Sequence, residues 1–335
     1  MEVIGPAVRL PTGKLPAALL ARFLSSLPPP GDAVIVGPRP GEDAAVIDPG
    51  GPELLVAAAD PITLASTGAA QALIAVNSND IAVMGGEPRW LLTTLLLPEG
   101  VEQDRALDLL EELAEACRRA SISLIGGHTE ITAGLDRPLL CATLLGTVPR
   151  DGLKLSRDLR PGDAVLQVRP VALEGGAVLA REHAPRLLAA GVPPEVIRAA
   201  ARWLDSPGIS VLSPARAIRA IPGVRAMHDP TEGGIATALR EFAEAGGVDF
   251  RIDPAAIRVL PECRTMCEAL GLDPLGLLAS GSLLVGVAPD AAKAVEEALE
   301  GAGSPAWVIG EVVERGAGNL DALPAFEADE ITRVL

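Results

Sequence analysis

The sequence predicts an α/β (α+β) protein built as two domains, and three observations carry that expectation. The chain has 335 residues, about twice the commonest size of a single domain. Short apolar runs of strand length alternate with amphipathic stretches in both halves. Between them, residues 151–163 turn polar, with Arg157, Arg160 and the turn Pro161-Gly162-Asp163. The expected division is therefore 1–152 and 153–335. Hydrophobic residues make up 49% of the chain, enough for a core in each half, which excludes a largely disordered protein.

The elements follow in order. A helix is expected over 16–27, ending at the breaker Pro28-Pro29-Pro30-Gly31. Strands come next at 33–36 and 44–47, split by a Gly/Pro turn. Residues 54–59 are continuously apolar and stop at Asp60-Pro61, as a buried strand would. Residues 67–84 have helical character up to Gly85-Gly86, and 90–97 is a strand. The clearest amphipathic helix is 102–120, with Leu107, Leu110, Leu113 and Cys117 on one stripe. A strand at 121–125 leads into Gly126-Gly127, and 138–148 is a further buried strand. Beyond the polar segment, strands are expected at 164–168, 250–252 and 282–287. Helices are expected at 175–182, 194–204, 214–220, 232–245, 261–270 and 291–299.

Composition narrows the function. The formal charge is −16 and aromatic residues are 2% of the chain, without a single Tyr. Neither a phosphate backbone nor stacked bases suit such a protein, so nucleic acid is not an expected partner. The N-terminus carries acidic Glu2 and no sustained apolar run, which argues against a targeting signal. Residues 61–79 are long enough to span a bilayer, but Thr63, Ser66, Thr67, Gln71, Asn77, Ser78 and Asn79 make them too polar for a lipid-facing helix. Cys117, Cys141, Cys263 and Cys267 form no disulfide-like framework, which suits a cytoplasmic protein. Cys263 and Cys267 lie four apart without a nearby His; buried thiols and half of a zinc site are both open readings.

Familiar nucleotide motifs fail. Gly13-Lys14 is followed by Leu15 and lacks the earlier glycine of a P-loop. Five acidic or glycine-rich segments at element ends remain. In Gly41-Glu42-Asp43, the aspartate serves a turn or a site. Asp60-Pro61 is a helix opening or a carboxylate at a strand end. Asn77-Ser78-Asn79-Asp80 interrupts an apolar helix with residues that serve no core. Gly126-Gly127-His128-Thr129-Glu130 is a turn, or a place where backbone and donors approach a phosphate. Asp229-Pro230-Thr231-Glu232-Gly233-Gly234 matches a helix-capping signature as well as a site. Together, Asp43, Asp60, Asp80 and Asp229 can supply four carboxylates to one place, which a hard cation such as Mg²⁺ would neutralise. Lys14, one of three lysines, is either a phosphate contact or a solvated surface residue.

The order of these motifs resembles the PurM-like superfamily of aminoimidazole-ribonucleotide synthetase, selenophosphate synthetase, thiamine-monophosphate kinase and the hydrogenase maturation factor HypE. The resemblance rests on the run from Asn79 to Pro88, on Gly126-Gly127-His128-Thr129-Glu130 and on Asp229-Pro230-Thr231-Glu232-Gly233-Gly234. It implies an N-terminal α/β domain that forms a homodimer and a C-terminal α+β domain, with ATP in the cleft between them. It further implies Mg²⁺ on Asp43, Asp60, Asp80 and Asp229. Nucleotide contacts would come from Lys14, Gly41, Asn79, Gly126, Gly127, His128 and Thr129, and catalytic roles would fall to Asp80, Glu130 and Asp229. The implied reaction phosphorylates a carbonyl, amide or similar acceptor, with a maturation protein as a candidate partner. Departures bear on the acceptor. HypE works on a C-terminal cysteine, whereas this sequence finishes Ile331-Thr332-Arg333-Val334-Leu335; selenophosphate synthetase needs an early cysteine, and none precedes Cys117. A kinase of the thiamine-monophosphate type and an ATP-binding module without turnover are the alternative expectations.

Overall fold

A computed structural model describes residues 14–15, 17–63 and 68–334. Expectations resting on Glu2, Gly13, Pro16, Ser66 and Thr67 lie outside these residues. The first half opens with α1 (Ala17–Leu24) and then lays down β1 (Val34–Val36), β2 (Ala45–Ile47), β3 (Glu53–Ala58) and the short β4 (Pro61–Ile62). After α2 (Ala69–Val83) come β5 (Glu87–Pro98), α3 (Gln103–Ala120), β6 (Ser123–Thr132) and β7 (Leu139–Pro149). These strands form one sheet in the order β1-β2-β3-β7-β5-β6, with β4 also beside β7. All pairings are antiparallel except β5 with β6, because the 18-residue helix α3 carries the chain back to start β6 in the same direction. The stripe that α3 buries is Leu109, Leu113, Ala116 and Cys117, so the expected stripe is corrected: Leu107 and Leu110 are exposed. Positions 109, 113, 116 and 117 share one helical face, from which 107 and 110 are rotated.

The second half contains β8 (Ala164–Val168), α4 (Leu173–Glu182), α5 (Ala184–Ala189), α6 (Pro194–Ala200) and α7 (Leu212–Ile218). It continues with β9 (Val224–His228), α8 (Gly234–Gly246), β10 (Asp249–Ile252), α9 (Pro261–Leu270), β11 (Leu283–Val287), α10 (Ala292–Gly301) and β12 (Ala306–Val313). Its sheet runs β10-β12-β8-β11-β9 and is antiparallel throughout. The molecule is thus a two-domain mixed α/β fold. Periodicity missed β4, β9, β12 and α5. In β9, Arg225 and the polar end at His228 break the apolar run that marks a strand.

Helix α2 joins the halves. Leu73 and Ile81 belong to the core of the first sheet, while Ala82 and Val83 pack with Val168, Met227 and Leu283 of the second. Most of its residues are buried, the polar run Asn77-Ser78-Asn79-Asp80 included, which fits this central position. Around it, Arg216 of α7 and Arg219 just past the end of that helix grip the Glu87 carboxylate of β5, and Arg219 also donates to the Gly86 carbonyl at 2.8 Å. Lys154 donates to the Val224 carbonyl at 3.0 Å. Among the described residues, no helix is long and apolar enough to cross a membrane. Cys263 and Cys267 are buried thiols with sulfurs 3.9 Å apart, packed in the core under α9 with Met266 and Trp203.

Candidate functional site

A cavity of about 460 Å³ opens between the two halves. Asp43, Asp60 and Asp80 line it from the first half; His228, Asp229 and Glu174 line it from the second. The polar interruption of α2 explains how the first half builds its wall. Asn77, Ser78, Asn79 and Asp80 are all buried. The Asn77 side chain accepts from the Asp60 amide at 3.1 Å and donates to the Leu73 carbonyl at 2.9 Å, which fixes the strand end carrying Asp60. Asn79 turns the other way: it donates to the Ile209 carbonyl at 3.0 Å and accepts from the Val211 amide at 2.8 Å. Asp80 alone of the four lines the cavity.

Two capping readings are corrected here. Asp60-Pro61 opens no helix: Pro61 and Ile62 pair with Cys141 and Leu140, and the Asp60 carbonyl accepts from the Ala142 amide at 3.1 Å. Asp229 caps no helix either, because α8 starts at Gly234 with left-handed Gly233 at its N-cap. Both Asp229 carboxylate oxygens are buried without a hydrogen-bond partner, as is Oδ2 of Asp80. Buried carboxylates are normally satisfied, so three orphaned oxygens from the two walls of one cavity mark a place suited to a cation.

Electrostatics agree with that geometry. Burial, then the charge of Asp229, then the neighbouring Asp60 and Asp43 push the Asp80 carboxyl well above the usual range. Burial and Asp43 raise Asp229 to about 7, with His228 and Lys14 opposing. For His228, burial works against the charged ring, but Asp43, Glu241 and Asp229 outweigh it and lift the ring to about 9. Its Nδ1 lies 2.9 Å from Asp43 Oδ2, and its ring stacks on Phe242 at 5.5 Å. Gly41, with φ 79°, brings this turn against α8, where a Cβ would press on the Glu241 carbonyl. Lys14 lines the cavity, donates to Thr231 Oγ1 at 3.1 Å and pairs with Glu232 at 3.4 Å.

Among the described residues, no three His, Cys, Asp or Glu side chains converge into a ready-made metal cage. The donor set still suits a hard cation of the Mg²⁺ kind, which commonly takes one or two carboxylates and completes its shell with water and phosphate. The orphaned oxygens of Asp80 and Asp229 are the ones free to serve.

Gly126, Gly127, His128, Thr129 and Glu130 do not reach this cavity. The expected turn is instead the middle of β6, paired in parallel with β5 from Trp90–Ser123 to Pro98–Thr132, at the exposed edge of the sheet. Gly127 has a packing reason: at φ 150°, a Cβ would collide with the Thr93 carbonyl. Gly127 and His128 border a shallower recess of about 310 Å³ with Thr93, Thr94, Thr143 and Asp60. Asp60 and Pro61 therefore touch both hollows and link the β6 motif to the carboxylate wall. His128 Nε2 meets Glu130 Oε2 at 3.2 Å on the exposed strand. Asn79, too, points away from the cavity and joins α2 to the second half. Sequence reasoning missed His228, Glu174 and Glu241. Of these, only His228 left a signal, as one of three histidines and the neighbour of Asp229.

Comparison with known proteins adds the family. The model for the N-terminal domain of AIR synthase related protein matches residues 41–148, and that for its C-terminal domain matches residues 160–322. The carbamoyl dehydratase HypE of Cupriavidus necator is 34% identical over 242 residues, which is 71% of this chain and 66% of that protein. The Escherichia coli carbamoyl dehydratase HypE is 31% identical over 270 residues, 79% of this chain and 76% of that one. The crystal structure of E. coli HypE superposes with a TM-score of 0.65 at 28% identity, covering 79% and 81% of the two chains. A HypE crystallised in complex with ATP shares the fold, with a TM-score of 0.67 at 24% identity over 82% and 81%. Two family models in sequence and a relative 31% identical along three quarters of its length carry the conclusion that the chain belongs to the AIR synthase related family, with HypE among its relatives.

Proposed function

We propose that this protein is an ATP- and Mg²⁺-dependent enzyme that phosphorylates a carbonyl, amide or similar acceptor. The observation that carries the reading is the pair of buried, unpartnered carboxylates Asp80 and Asp229, which line one cavity with Asp43 and Asp60. Acidic groups so placed repel one another and repel phosphate, and a cation bound between them and a polyphosphate reconciles the two. The ATP-bound HypE of the same fold supports nucleotide as that polyphosphate.

Asp80 and Asp229 would hold the ion, with Asp43 and Asp60 at its margin. Bound there, Mg²⁺ neutralises charge on the transferring phosphoryl group. The chain's own part is positioning. His228, charged through neutral pH, clamps Asp43 and lowers the repulsion at the wall. Asn77 fixes Asp60, and Lys14 stands at the cavity as a point charge for phosphate oxygens. Phosphoryl transfer asks mostly for such placement and little covalent chemistry from the protein.

The proposal extends to three further points. The domains divide at 152/153, on the polar segment after β7. The exposed edge strand β6, with Leu124, Ile125 and Ile131, forms a homodimer. Four cysteines, all free, fit the reducing cytoplasm.

Titration calorimetry with a non-hydrolysable ATP analogue tests the core of the reading. Binding is expected with Mg²⁺ and is expected to weaken at least tenfold in EDTA. ATP turnover that persists unchanged in an Asp80→Ala, Asp229→Ala double variant would overturn it.

A further inference from the structure

The Asp229 carboxylate is held in place by its own backbone alone, because the side chain is buried and both its oxygens lack a hydrogen-bond partner. Its position therefore follows from the loop 229–233 between β9 and α8. At the near end His228 pairs with Leu284 of β11. In the middle, the Thr231 carbonyl accepts from the amides of Gly234 and Ala279, both at 3.2 Å. At the far end Gly233 and Gly234 are both left-handed, with φ 79° and 66°. Gly233 is the N-cap of α8 and has no side chain with which to cap it. Its amide donates instead to Asp329 Oδ2 at 2.8 Å, across 96 positions of sequence. In a capping box a glutamate of the first helical turn makes that bond, but here Ala236 stands in its place.

Asp329 stands behind the cavity wall and not on it. It is buried, and a buried carboxylate bonded to amides carries a desolvation cost. Fixing the C-terminal turn Glu330–Arg333 does not require that cost. The turn uses one oxygen, Oδ1, which accepts from the Ile331 amide at 2.9 Å and which a serine could replace. Its other anchors are independent of that carboxyl. Glu330 accepts from the Asp273 amide at 2.8 Å, and Thr332 donates to the Asp329 carbonyl at 2.7 Å. Ile331 and Val334 are buried in the core with Cys263, Met266 and Cys267 of α9. What the second oxygen adds is the hold on Gly233.

We infer that Asp329 is a positioning residue for Asp229: from the C-terminal turn it fixes the far end of the loop 229–233, and with it the place of the Asp229 carboxylate in the cavity. Asp329 does not line the cavity and acts through the Gly233 amide. The inference rests on the proposed role of Asp229 in holding the cation.

Asp329→Ser separates the two bonds, because a serine hydroxyl can cap the turn but is too short to reach Gly233. Two quantities are read in the full chain at pH 8, where the native carboxyl is ionised. The first is hydrogen exchange of the Gly233 amide without ligand, expected to quicken at least tenfold in Asp329→Ser. The second is the Mg²⁺ concentration that gives half-maximal binding of a non-hydrolysable ATP analogue. It is expected to rise at least fivefold, while the residual affinity in EDTA stays as it was. Thr332→Ala loosens the same turn without touching Gly233 and is expected to change neither quantity. Asp329→Asn keeps one oxygen for the two amides, is expected to fall between, and serves if the serine variant does not fold. Unchanged exchange or an unchanged Mg²⁺ requirement in the folded variant overturns the inference, and so does an equal effect in Thr332→Ala. If exchange quickens but the unaltered chain binds no analogue in either buffer, the proposed enzyme falls while Asp329 remains the residue that fixes the loop.

Discussion

His228 and Asp43 meet across the cavity, Nδ1 to Oδ2 at 2.9 Å, one from each half of the molecule. Neither lies on an element that reaches across alone. Strand β9 delivers the ring, Phe242 of α8 backs it, and the turn after Gly41 carries the carboxylate in. The contact therefore sets how the two walls of the site face one another.

Breaking it is expected to be expensive. His228→Ala should destabilise the ligand-free protein by about 3 kcal/mol, because it leaves a partly buried carboxylate without its counter-charge. In an Asp43→Asn background the same change should cost less, giving a coupling energy of about 1–2 kcal/mol. Urea denaturation of the four proteins of this cycle measures it. Additive losses would mean that the pair is a contact without energetic weight.

The aspartate wall predicts a trade of stability against function. At pH 7 the unfolded chain ionises Asp80 freely, while burial beside Asp229 resists that charge in the native protein. Asp80→Asn removes the conflict and should raise ligand-free stability by about 1 kcal/mol. The same variant should lose at least tenfold in Mg²⁺-dependent binding of an ATP analogue. Thermal melts and calorimetry on one preparation read both quantities.

Asn79 is expected to act on the assembly of the halves and to leave direct nucleotide contact untouched. Its amide donates to Ile209 and its oxygen accepts from Val211, so Asn79→Ala orphans a buried carbonyl and a buried amide together. The loss should be about 2–4 kcal/mol in chemical denaturation. Nucleotide affinity, measured where the variant is fully folded, should stay within about twofold of the unaltered chain, a difference of about 0.4 kcal/mol.

These residues also show what the sequence could and could not convey. Helices α9 and α3 and the strands β3, β7 and β8 follow from period and length, because each buries one regular pattern of apolar side chains. Asp43, Asp60, Asp80 and Asp229 were legible as a group, since four aspartates beside glycines and element ends have no common structural purpose. The direction in which each side chain points was not legible. Asn79 and Asp80 are adjacent, yet a helical rotation of about 100° sends one to Val211 and the other to the cavity. Gly126-Gly127 looked like a turn because glycine breaks strands in isolation; pairing with β5 makes Gly127 necessary to the ladder.

Asp329 supplies a pH dependence with a definite sign. It accepts from the Gly233 amide at 2.8 Å and the Ile331 amide at 2.9 Å. Burial, helped by Glu232 and opposed by those amides, raises it from 3.8 to about 6. A carboxyl whose native pKa is raised stabilises the fold fully below its unfolded value and loses that contribution as pH rises through the native one. Between pH 3.8 and about 6 the native state should lose up to about 3 kcal/mol from this group. Asp329→Asn does not titrate, so its stability relative to the unaltered chain should climb from pH 4 to pH 7. Denaturation midpoints at three pH values between these limits decide it, and parallel curves would remove Asp329 as the source.

The edge strand gives the last prediction. Along β6, Leu124, Ile125 and Ile131 are 45%, 53% and 63% exposed, and among the described residues only β5 pairs with the strand. Unprotected edges with apolar side chains invite a second chain, and natural proteins usually blunt them with charge. The homodimer reading uses this edge as its interface. Ile131→Lys places a charge on its most exposed apolar position and touches no core contact of the monomer. Light scattering should find the unaltered chain as a dimer and the variant as a monomer, with monomer stability changed by no more than about 0.5 kcal/mol. A dimer that survives the lysine would move the interface elsewhere. An unaltered chain that is already monomeric at high concentration would leave β6 an open edge, protected only by its own Glu130 and His128.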